Sequence, residues 1–303
     1  MTAPTLYAPI QLQVEGYAPG VHQISADEYH ADRTSLSSTG ARKLLPPSCP
    51  AKFKWDLDHE PPPRKTFELG TAAHKLVLGE GPELVLVDAV RWDSNAVKAE
   101  VAAIRAEGGV PLKPAEMEAV EAMAQALREH PLASALFDPE RGQPEQSLFW
   151  RDRFTGVNCR ARLDWLPDSD GGRMLVADYK TATSASTRAF ERAVLDYGYH
   201  QQDEHYSDGI WQLKIAEDVQ FMFVVQEKTP PYLINVFQVS PGWLLMAEDR
   251  NTRARQIFKQ CTETGIWPGY GTEVEMVFPP RWLETEHEQE YPPTSTTPRR
   301  TRS

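Results

Sequence analysis

The segment LVADYKTATS, residues 175–184, decides the fold of this chain. An apolar run ends with Asp178 and Lys180 two positions apart, a spacing that puts both side chains on one face of a β-strand. Burying a carboxylate and an ammonium group at the end of a strand is costly. Two interpretations are open: the two charges neutralise each other, or a third charged species binds between them.

The residues around this segment predict a sheet. From about residue 145 the apolar pattern takes a period of two, which is typical of strands. Three successive strands are predicted at EQSLFWRD, VNCRARLDWLP and RMLVADYK, with turns at residues 154–156 and at DSDGG. Two helices follow, then strands at VQFMFVVQE and YLINVFQVS, and then a helix over about 241–264. With the predicted helices before it, this succession indicates an α/β or α+β domain whose helices pack around a sheet.

The DSDGG turn fixes a predicted register between the second and third strands. If the strands are antiparallel and the turn is centred near Gly171, facing residues have numbers that sum to about 342, so Asp164 faces Asp178. The alternation of strand VNCRARLDWLP divides its side chains between two faces. One face carries Arg160, Arg162 and Asp164, and the other carries Cys159, Ala161, Leu163 and Trp165.

Facing carboxylates need a cation. At about 5 Å and an effective dielectric constant near 20, their repulsion is roughly 3 kcal/mol. A divalent metal with oxygen ligands would offset it, and Lys180 lies about 7 Å further along the same face. Two carboxylates, a metal and a lysine are suited to hydrolysis of a phosphodiester. An ordinary salt bridge at a strand end remains the alternative, because the register can slip.

Other polar residues fall at positions compatible with a site. Gly70 and His74 lie at i and i+4 in the predicted helix TFELGTAAHKLVLG, where glycine permits close backbone approach and histidine offers a nitrogen ligand. Glu145 opens the first strand and offers a third carboxylate. Gln202 and Tyr206 share a face of the helix over about 199–214 and offer an amide and a phenol to a DNA backbone. Taken singly, each is compatible with an ordinary packed or surface residue.

Composition bounds the class of protein. The 303 residues are 41% hydrophobic, enough for a substantial core. The three cysteines are scattered and lack CxxC spacing, which argues against a disulfide framework and against a cysteine-bound zinc or iron–sulfur site. This cysteine usage indicates a reducing, intracellular setting. No apolar run approaches the roughly 20 residues of a membrane span, and no secretory signal is visible at the start. The net charge of −11 argues against a broadly basic, nonspecific nucleic-acid-binding surface.

Taken together, several segments resemble a known family. ISADEYHADRTSLSSTGARKLLPPSCPAKFKW, FELGTAAHKLVL, CRARLDWL, VADYKTATSASTRAF and DYGYHQQDEHYSDGI occur in the order and spacing of RecE-type exonucleases, the exodeoxyribonuclease VIII-like phage enzymes of the PD-(D/E)xK nuclease superfamily. The similarity covers about residues 24–240. It implies a restriction-endonuclease-like fold, with a central mixed sheet flanked by helices and a helical N-terminal portion.

The resemblance also implies an activity and its residues. We expect a Mg²⁺-dependent exonuclease, with Mn²⁺ as a substitute, that degrades one strand of linear duplex DNA from its 5′ end and leaves a 3′ single strand. Asp164, Asp178 and Lys180 correspond to the catalytic motif, and His74, with Glu145 less securely, joins the two aspartates as metal ligands. Gln202, Tyr206 and Thr181 are the expected DNA contacts. Asp178 departs from the glutamate common at this position, and the cysteine cluster of some relatives is absent.

The expected organisation follows the same resemblance. An irregular segment spans residues 1–23, a nuclease domain spans 24–265 (helical over about 24–140, sheet core over about 141–265), and a tail with a disordered end spans 266–303. Expected partners are DNA ends, a single-strand annealing protein and further copies of the chain, as in ring-forming relatives, with no membrane. The expected setting is the cytoplasm, with a phage or prophage origin. An endonuclease, a single-strand nuclease and a noncatalytic DNA-binding protein are the alternatives.

Overall fold

The computed structural model describes residues 16–59 and 68–292. The described residues divide into two compact units, one that ends at Pro268 and one that begins at Gly269. In the part of the second unit that the structure describes, residues 269–292, there is one helix, and all of it is exposed. None of the helices in the described ranges has the length and apolar character of a membrane span.

Helices and strands alternate along the first unit. Its strands are β1 (Gly20–His22), β2 (Leu36–Ser37), β3 (Leu84–Leu86), β4 (Val110–Leu112), β5 (Gly142–Arg151), β6 (Asn158–Pro167), β7 (Arg173–Ala182), β8 (Asp218–Glu227) and β9 (Ile234–Phe237). Its helices are α1 (Ala26–Ala31), α2 (Ser38–Lys43), α3 (Pro50–Asp58), α4 (Glu68–Leu78), α5 (Asn95–Ala106), α6 (Pro114–Glu129), α7 (Pro131–Leu136), α8 (Thr187–Tyr197), α9 (Tyr199–Gln212) and α10 (Pro241–Thr264). Helix α11 (Arg281–Glu290) belongs to the second unit.

The main sheet is mixed and has the order β1-β5-β6-β7-β8-β9, with β2 paired to β6. Strands β5, β6 and β7 are antiparallel neighbours, β7 and β8 are parallel, and α8 and α9 form the crossover between them. A separate two-stranded sheet joins β3 to β4. The predicted fold class, a mixed sheet flanked by helices, is therefore confirmed.

Each face of the main sheet carries a core. One core holds side chains from β5, β6 and β8 together with α2, α3, α8 and α10, including Leu148, Phe223 and Phe258. The other lies beneath α4, α6 and α7 and includes Met123 and Tyr179. Burying such aliphatic and aromatic side chains is the dominant stabilising contribution to a domain of this size.

The predicted register between β6 and β7 is confirmed. Trp165 pairs with Ala177, and these numbers sum to 342, which places Asp164 beside Asp178. Trp165↔Ala177 is the one ladder pair that joins β6 to β7, whereas β2 pairs with Cys159 and Arg160 on β6. The strands therefore separate just past Asp164, and β2 with the start of α2 occupies the opening.

One predicted strand face is wrong. Cys159, Ala161 and Leu163 pack in the core beneath α2 and α10, but Trp165 packs in the other core. The alternation breaks between Leu163 and Trp165, opposite Glu145, whose backbone is left-handed with φ 55°. That residue lacks a ladder partner although both of its neighbours on β5 pair with β6.

Several predicted elements also need correction. The predicted irregular segment 1–23 contains β1 at Gly20–His22, and its first fifteen residues lie outside the described ranges. The predicted tail contains α11, and residues 293–303, with the expected disordered end, also lie outside them. Strands β2 and β4 and helix α7 were not anticipated, because two- or three-residue strands and a six-residue helix are too short to show a period.

Candidate active site

Three carboxylates form a row across three neighbouring strands. Glu145 of β5, Asp164 of β6 and Asp178 of β7 occupy adjacent positions, since facing residues of β5 and β6 sum to 309 and those of β6 and β7 sum to 342. His74 of α4 and Lys180 of β7 carry the neighbouring basic groups. The structure therefore brings together all five residues that were predicted to bind metal or act in catalysis.

His74 lies between two of these carboxylates. Its Nε2 is 3.2 Å from Asp164 Oδ1 and its Nδ1 is 3.3 Å from Glu145 Oε1. Burial alone would lower the pKa of His74, but the carboxylates, Asp164 first, outweigh it and raise that pKa to about 8. The imidazolium therefore serves as an internal counterion to both acids.

Asp164 is held at the point where β6 and β7 separate. Its Oδ2 accepts a hydrogen bond from the backbone N–H of Tyr179 at 2.8 Å, so the carboxylate pairs with a backbone group of β7 where the sheet ladder stops. Burial would raise the pKa of Asp164, but His74, Lys180 and this N–H together lower it. The carboxylate is therefore charged at neutral pH.

Glu145 has an unusual backbone and two occupied oxygens. A left-handed φ at a non-glycine residue costs about 1–3 kcal/mol and recurs at functional sites. Its Oε1 faces His74, and its Oε2 accepts a hydrogen bond of 2.5 Å from Arg162 Nε. Burial and the nearby Asp164 charge raise the pKa of Glu145, while His74 and Arg162 oppose that rise.

Asp178 is 2% exposed and paired within the chain. Its Oδ2 lies 2.6 Å from Lys180 Nζ, and its Oδ1 accepts a hydrogen bond of 2.6 Å from Gln202 Nε2. Burial, reinforced by Asp164, raises the pKa of Asp178 to about 6. Burial would lower the pKa of Lys180, but Asp178 and Asp164 outweigh it and raise that pKa, so the lysine is charged. Both interpretations of the LVADYKTATS segment therefore correspond to features of the structure. Asp178 and Lys180 neutralise each other in a direct ion pair, and a group of possible metal ligands lies beside that pair.

That ligand group consists of His74, Glu145 and Asp164. Each offers one ligand atom, and these atoms lie within 4.8 Å of one another. Two carboxylate oxygens and an imidazole nitrogen suit Mn²⁺, and the oxygens suit Mg²⁺. Asp178, predicted to share the same cation, lies outside this group, and its oxygens are paired instead with Lys180 and Gln202.

The predicted DNA contacts lie around the same point. Gln202 donates its amide to Asp178, so in this arrangement it orients a carboxylate. Tyr206 lines two of the cavities described below, and Thr181 lines the largest. The hydroxyl of Thr181 is also 3.1 Å from where a Cβ on Gly70 would lie, which accounts for the glycine in α4.

Three cavities meet at the carboxylate row. The largest, about 980 Å³, is lined by His74, Glu145, Lys180 and residues 23–27. A second, about 340 Å³, and a third, about 210 Å³, both border Asp164. The second is also lined by basic residues, namely Arg33, Lys43, Arg160 and Arg162. Each carboxylate of the row therefore borders at least one of the three cavities.

Two polar residues of the site were not predicted. Arg162, recognised only as sharing a face with Asp164, binds Glu145, and the fully buried Ser147 contacts Arg162 in turn. The predicted turn at residues 154–156 contained the signal that could have found this arrangement. A hairpin centred there places Glu145 opposite Asp164 and Ser147 opposite Arg162, as the structure has them.

Comparison with known proteins identifies a family and a similar fold. The family model described as PDDEXK-like domain of unknown function (DUF3799) matches residues 37–278. The chain has no significant match among curated proteins. Among solved structures, it resembles a candidate exonuclease from Eubacterium rectale with a TM-score of 0.57 and 13% identity, over 87% of this chain and 98% of that one. This likeness is one of fold.

A second solved structure is more distant. An alkaline exonuclease from Laribacter hongkongensis aligns with a TM-score of 0.25 and 11% identity, over 66% of this chain and 95% of that one. A score this low supports no argument about the present chain.

Proposed function

Because the chain belongs to the PDDEXK-like domain family (DUF3799), we propose that it is a metal-dependent exodeoxyribonuclease that hydrolyses phosphodiester bonds of linear double-stranded DNA. The observation that carries the proposal is the row of Glu145, Asp164 and Asp178 across three strands, with His74 and Lys180 beside it. Paired carboxylates with a nearby ammonium group are the apparatus of metal-assisted phosphodiester hydrolysis.

His74, Glu145 and Asp164 would hold the cation, which we take to be Mg²⁺ with Mn²⁺ as a substitute. The donor set fits, since it is compact and consists of hard oxygens with one imidazole nitrogen. When bound, such an ion stabilises negative charge on a phosphate and lowers the pKa of water. His74 must give up its proton to serve as a ligand, because a metal binds the neutral ring.

Lys180 acts through its charge. The ion pair with Asp178 keeps its amine protonated, so it is poorly suited to accept a proton from water. Its side chain lines both the largest and the smallest cavity, where an ammonium group stabilises the charge that develops on a phosphate during cleavage. Asp178 and Gln202 fix the position of that charge.

The direction of strand digestion and the biological role of the protein are inferred from the resemblance to RecE-type enzymes. We include in the proposal 5′-to-3′ digestion, release of nucleotides with a 5′ phosphate, and production of 3′ single strands for recombination by an annealing protein. Action as a homo-oligomer, in the cytoplasm and from a phage or prophage gene, belongs to the same inference.

The test is digestion of a linear duplex labelled at the 5′ or the 3′ end of one strand, with and without Mg²⁺, beside a covalently closed circle. We expect metal-dependent release of the 5′ label first and no cleavage of the circle. Cutting of the circle would establish an endonuclease instead. Release of the 3′ label first would show that digestion runs from the 3′ end to the 5′ end. No digestion with either Mg²⁺ or Mn²⁺ would contradict the proposed activity.

Two variants connect the activity to the site. Asp178→Asn and Lys180→Ala should each reduce cleavage below detection while the circular dichroism spectrum stays that of the wild type. Lys228→Ala, on a residue just beyond β8 that lines none of the three cavities, is the matched control and should cleave normally. Undiminished digestion by both site variants would place the chemistry elsewhere.

A further inference from the structure

Arg162 is the most fully engaged basic residue beside the carboxylate row. It lies on β6 two residues before Asp164, and its side chain is 16% exposed. Its Nε donates to Glu145 Oε2 at 2.5 Å, and its Nη1 donates to Ser147 Oγ at 3.0 Å and to the Ile24 carbonyl at 2.9 Å. Contacts from two separate parts of the chain therefore fix the plane of this guanidinium group.

These contacts give the two carboxylate oxygens of Glu145 different partners. Oε2 is taken by Arg162, which leaves Oε1 on the side of His74 and Asp164. The Glu145 backbone is left-handed, a conformation that is uncommon for a residue other than glycine and carries an energetic cost. Among the contacts that the structure gives the Glu145 carboxylate, the one to Arg162 is the shortest.

We propose that Arg162 is a positioning residue, which holds Glu145 in its strained conformation and presents one oxygen of that carboxylate to the cation. The inference rests on the proposed metal-dependent function. Side chains that hydrogen-bond a metal ligand orient it, and their replacement typically reduces metal affinity about 10- to 100-fold. The fork of Arg162 is suited to this role, because it binds Glu145 and two further acceptors at once.

The same contacts join the N-terminal segment to the site. The Ile24 carbonyl that binds Arg162 directly precedes Ser25, the residue that caps α1. Ile24 and Ser25 also line the largest cavity. The segment that borders the substrate space is therefore one hydrogen bond away from the residue that orients Glu145.

The test is Mn²⁺ affinity, measured by calorimetry on the full chain without DNA. Arg162→Lys keeps the positive charge but loses the fork, so a change in affinity reports orientation and not the removal of a charge. We expect Mn²⁺ to bind about tenfold more weakly to this variant. Affinity within twofold of the wild type would overturn the proposal, and so would a lower melting temperature accompanied by unchanged affinity.

Arg160→Lys is the matched control. Arg160 lies two residues earlier on the same face of β6, and both arginines lie over the ring of Tyr29, but Arg160 pairs with Asp32. It therefore tests the loss of an arginine fork without touching Glu145. We expect its Mn²⁺ affinity to stay within twofold of the wild type, and an equal loss in both variants would contradict a specific role for Arg162.

A double-variant cycle supplies the second criterion. If Arg162 acts through Glu145, then Arg162→Lys should have no further effect on Mn²⁺ affinity in a Glu145→Gln background. Additive losses would overturn the proposed route. The outcomes also separate the two proposals: a wild-type protein that neither binds Mn²⁺ nor digests DNA refutes the proposed function, whereas one that does both but tolerates Arg162→Lys refutes this inference alone.

Discussion

The protonation of His74 should make the metal-free protein less stable as pH rises. The carboxylates of Asp164 and Glu145 raise the pKa of His74 from 6.5 to about 8 in the folded chain. A group whose pKa is raised by folding contributes stability that is fully present below its unfolded pKa and is lost as pH rises through its folded pKa. The relevant interval is therefore about pH 6.5 to 8.

The expected magnitude follows from that interval. A difference of about 1.5 pKa units corresponds to about 2 kcal/mol of unfolding free energy. His74 is 27% exposed, so solvent screens the interaction only in part. The assay is urea unfolding of the metal-free protein in chelator at pH 6 and pH 9, for the wild type and for His74→Gln.

Comparison of the wild type with His74→Gln isolates the contribution of His74 to the pH dependence of stability. Buried acids such as Asp203 and Glu204 have pKa values raised to about 7, mainly by burial, and they titrate in the same range, but they are present in both proteins. The wild type should lose about 2 kcal/mol more than His74→Gln between the two pH values. Asp164→Asn removes the leading carboxylate and should flatten the difference as well, whereas equal pH dependence in the wild type and His74→Gln would refute the reasoning.

Three further outcomes are expected. Mn²⁺ binding at pH 7 should release about 0.9 proton, since His74 with a pKa of about 8 is about nine-tenths protonated there. Calorimetry in buffers of different ionisation enthalpy measures the number of protons released. If no proton were released, His74 would be excluded as a metal ligand. Gly70→Ala should destabilise the protein by about 1–2 kcal/mol in urea, because its Cβ would lie 3.1 Å from Thr181 Oγ1, and Thr181→Ala in the same chain should recover most of that loss. Gly209→Ala should cost about 1–3 kcal/mol by the same assay, because its Cβ would lie 2.9 Å from the Trp150 ring; wild-type stability would mean that the ring can move aside.

The sequence predicts the centre of the site because short turns have little freedom. DSDGG leaves few ways to connect two strands, and a turn centred at Gly171, its fourth residue, requires facing residues to sum to 342, as Trp165 and Ala177 do. The position of Lys180 on the same strand face as Asp178 follows from strand periodicity alone. The fold class follows from the change of period near residue 145, which separates the helical half from the sheet.

Other features of the site could not be predicted, because they depend on distant contacts or on local departures from regular geometry. Helix α4 packs against β7 through Gly70, and nothing in the sequence near His74 indicates that both of its ring nitrogens would face acids. The left-handed backbone of Glu145 is invisible to pattern analysis, because glutamate is not a residue that favours it. That local departure also explains why Trp165 packs in the unexpected core.

The charges around the site constrain how metal and DNA would bind. Three carboxylates, those of Glu145, Asp164 and Asp178, are matched by three cationic groups, those of Arg162, His74 and Lys180. A divalent cation would leave an excess of two positive charges, reduced to one when His74 loses its proton. A phosphodiester brings the compensating negative charge, so each ligand should strengthen binding of the other by the same factor. Mn²⁺ titrations of the Asp178→Asn variant, in which cleavage should be blocked and the Lys180 charge is retained, would measure that factor when they are run with and without a short duplex. Equal affinities would show that the phosphate does not reach the charged row.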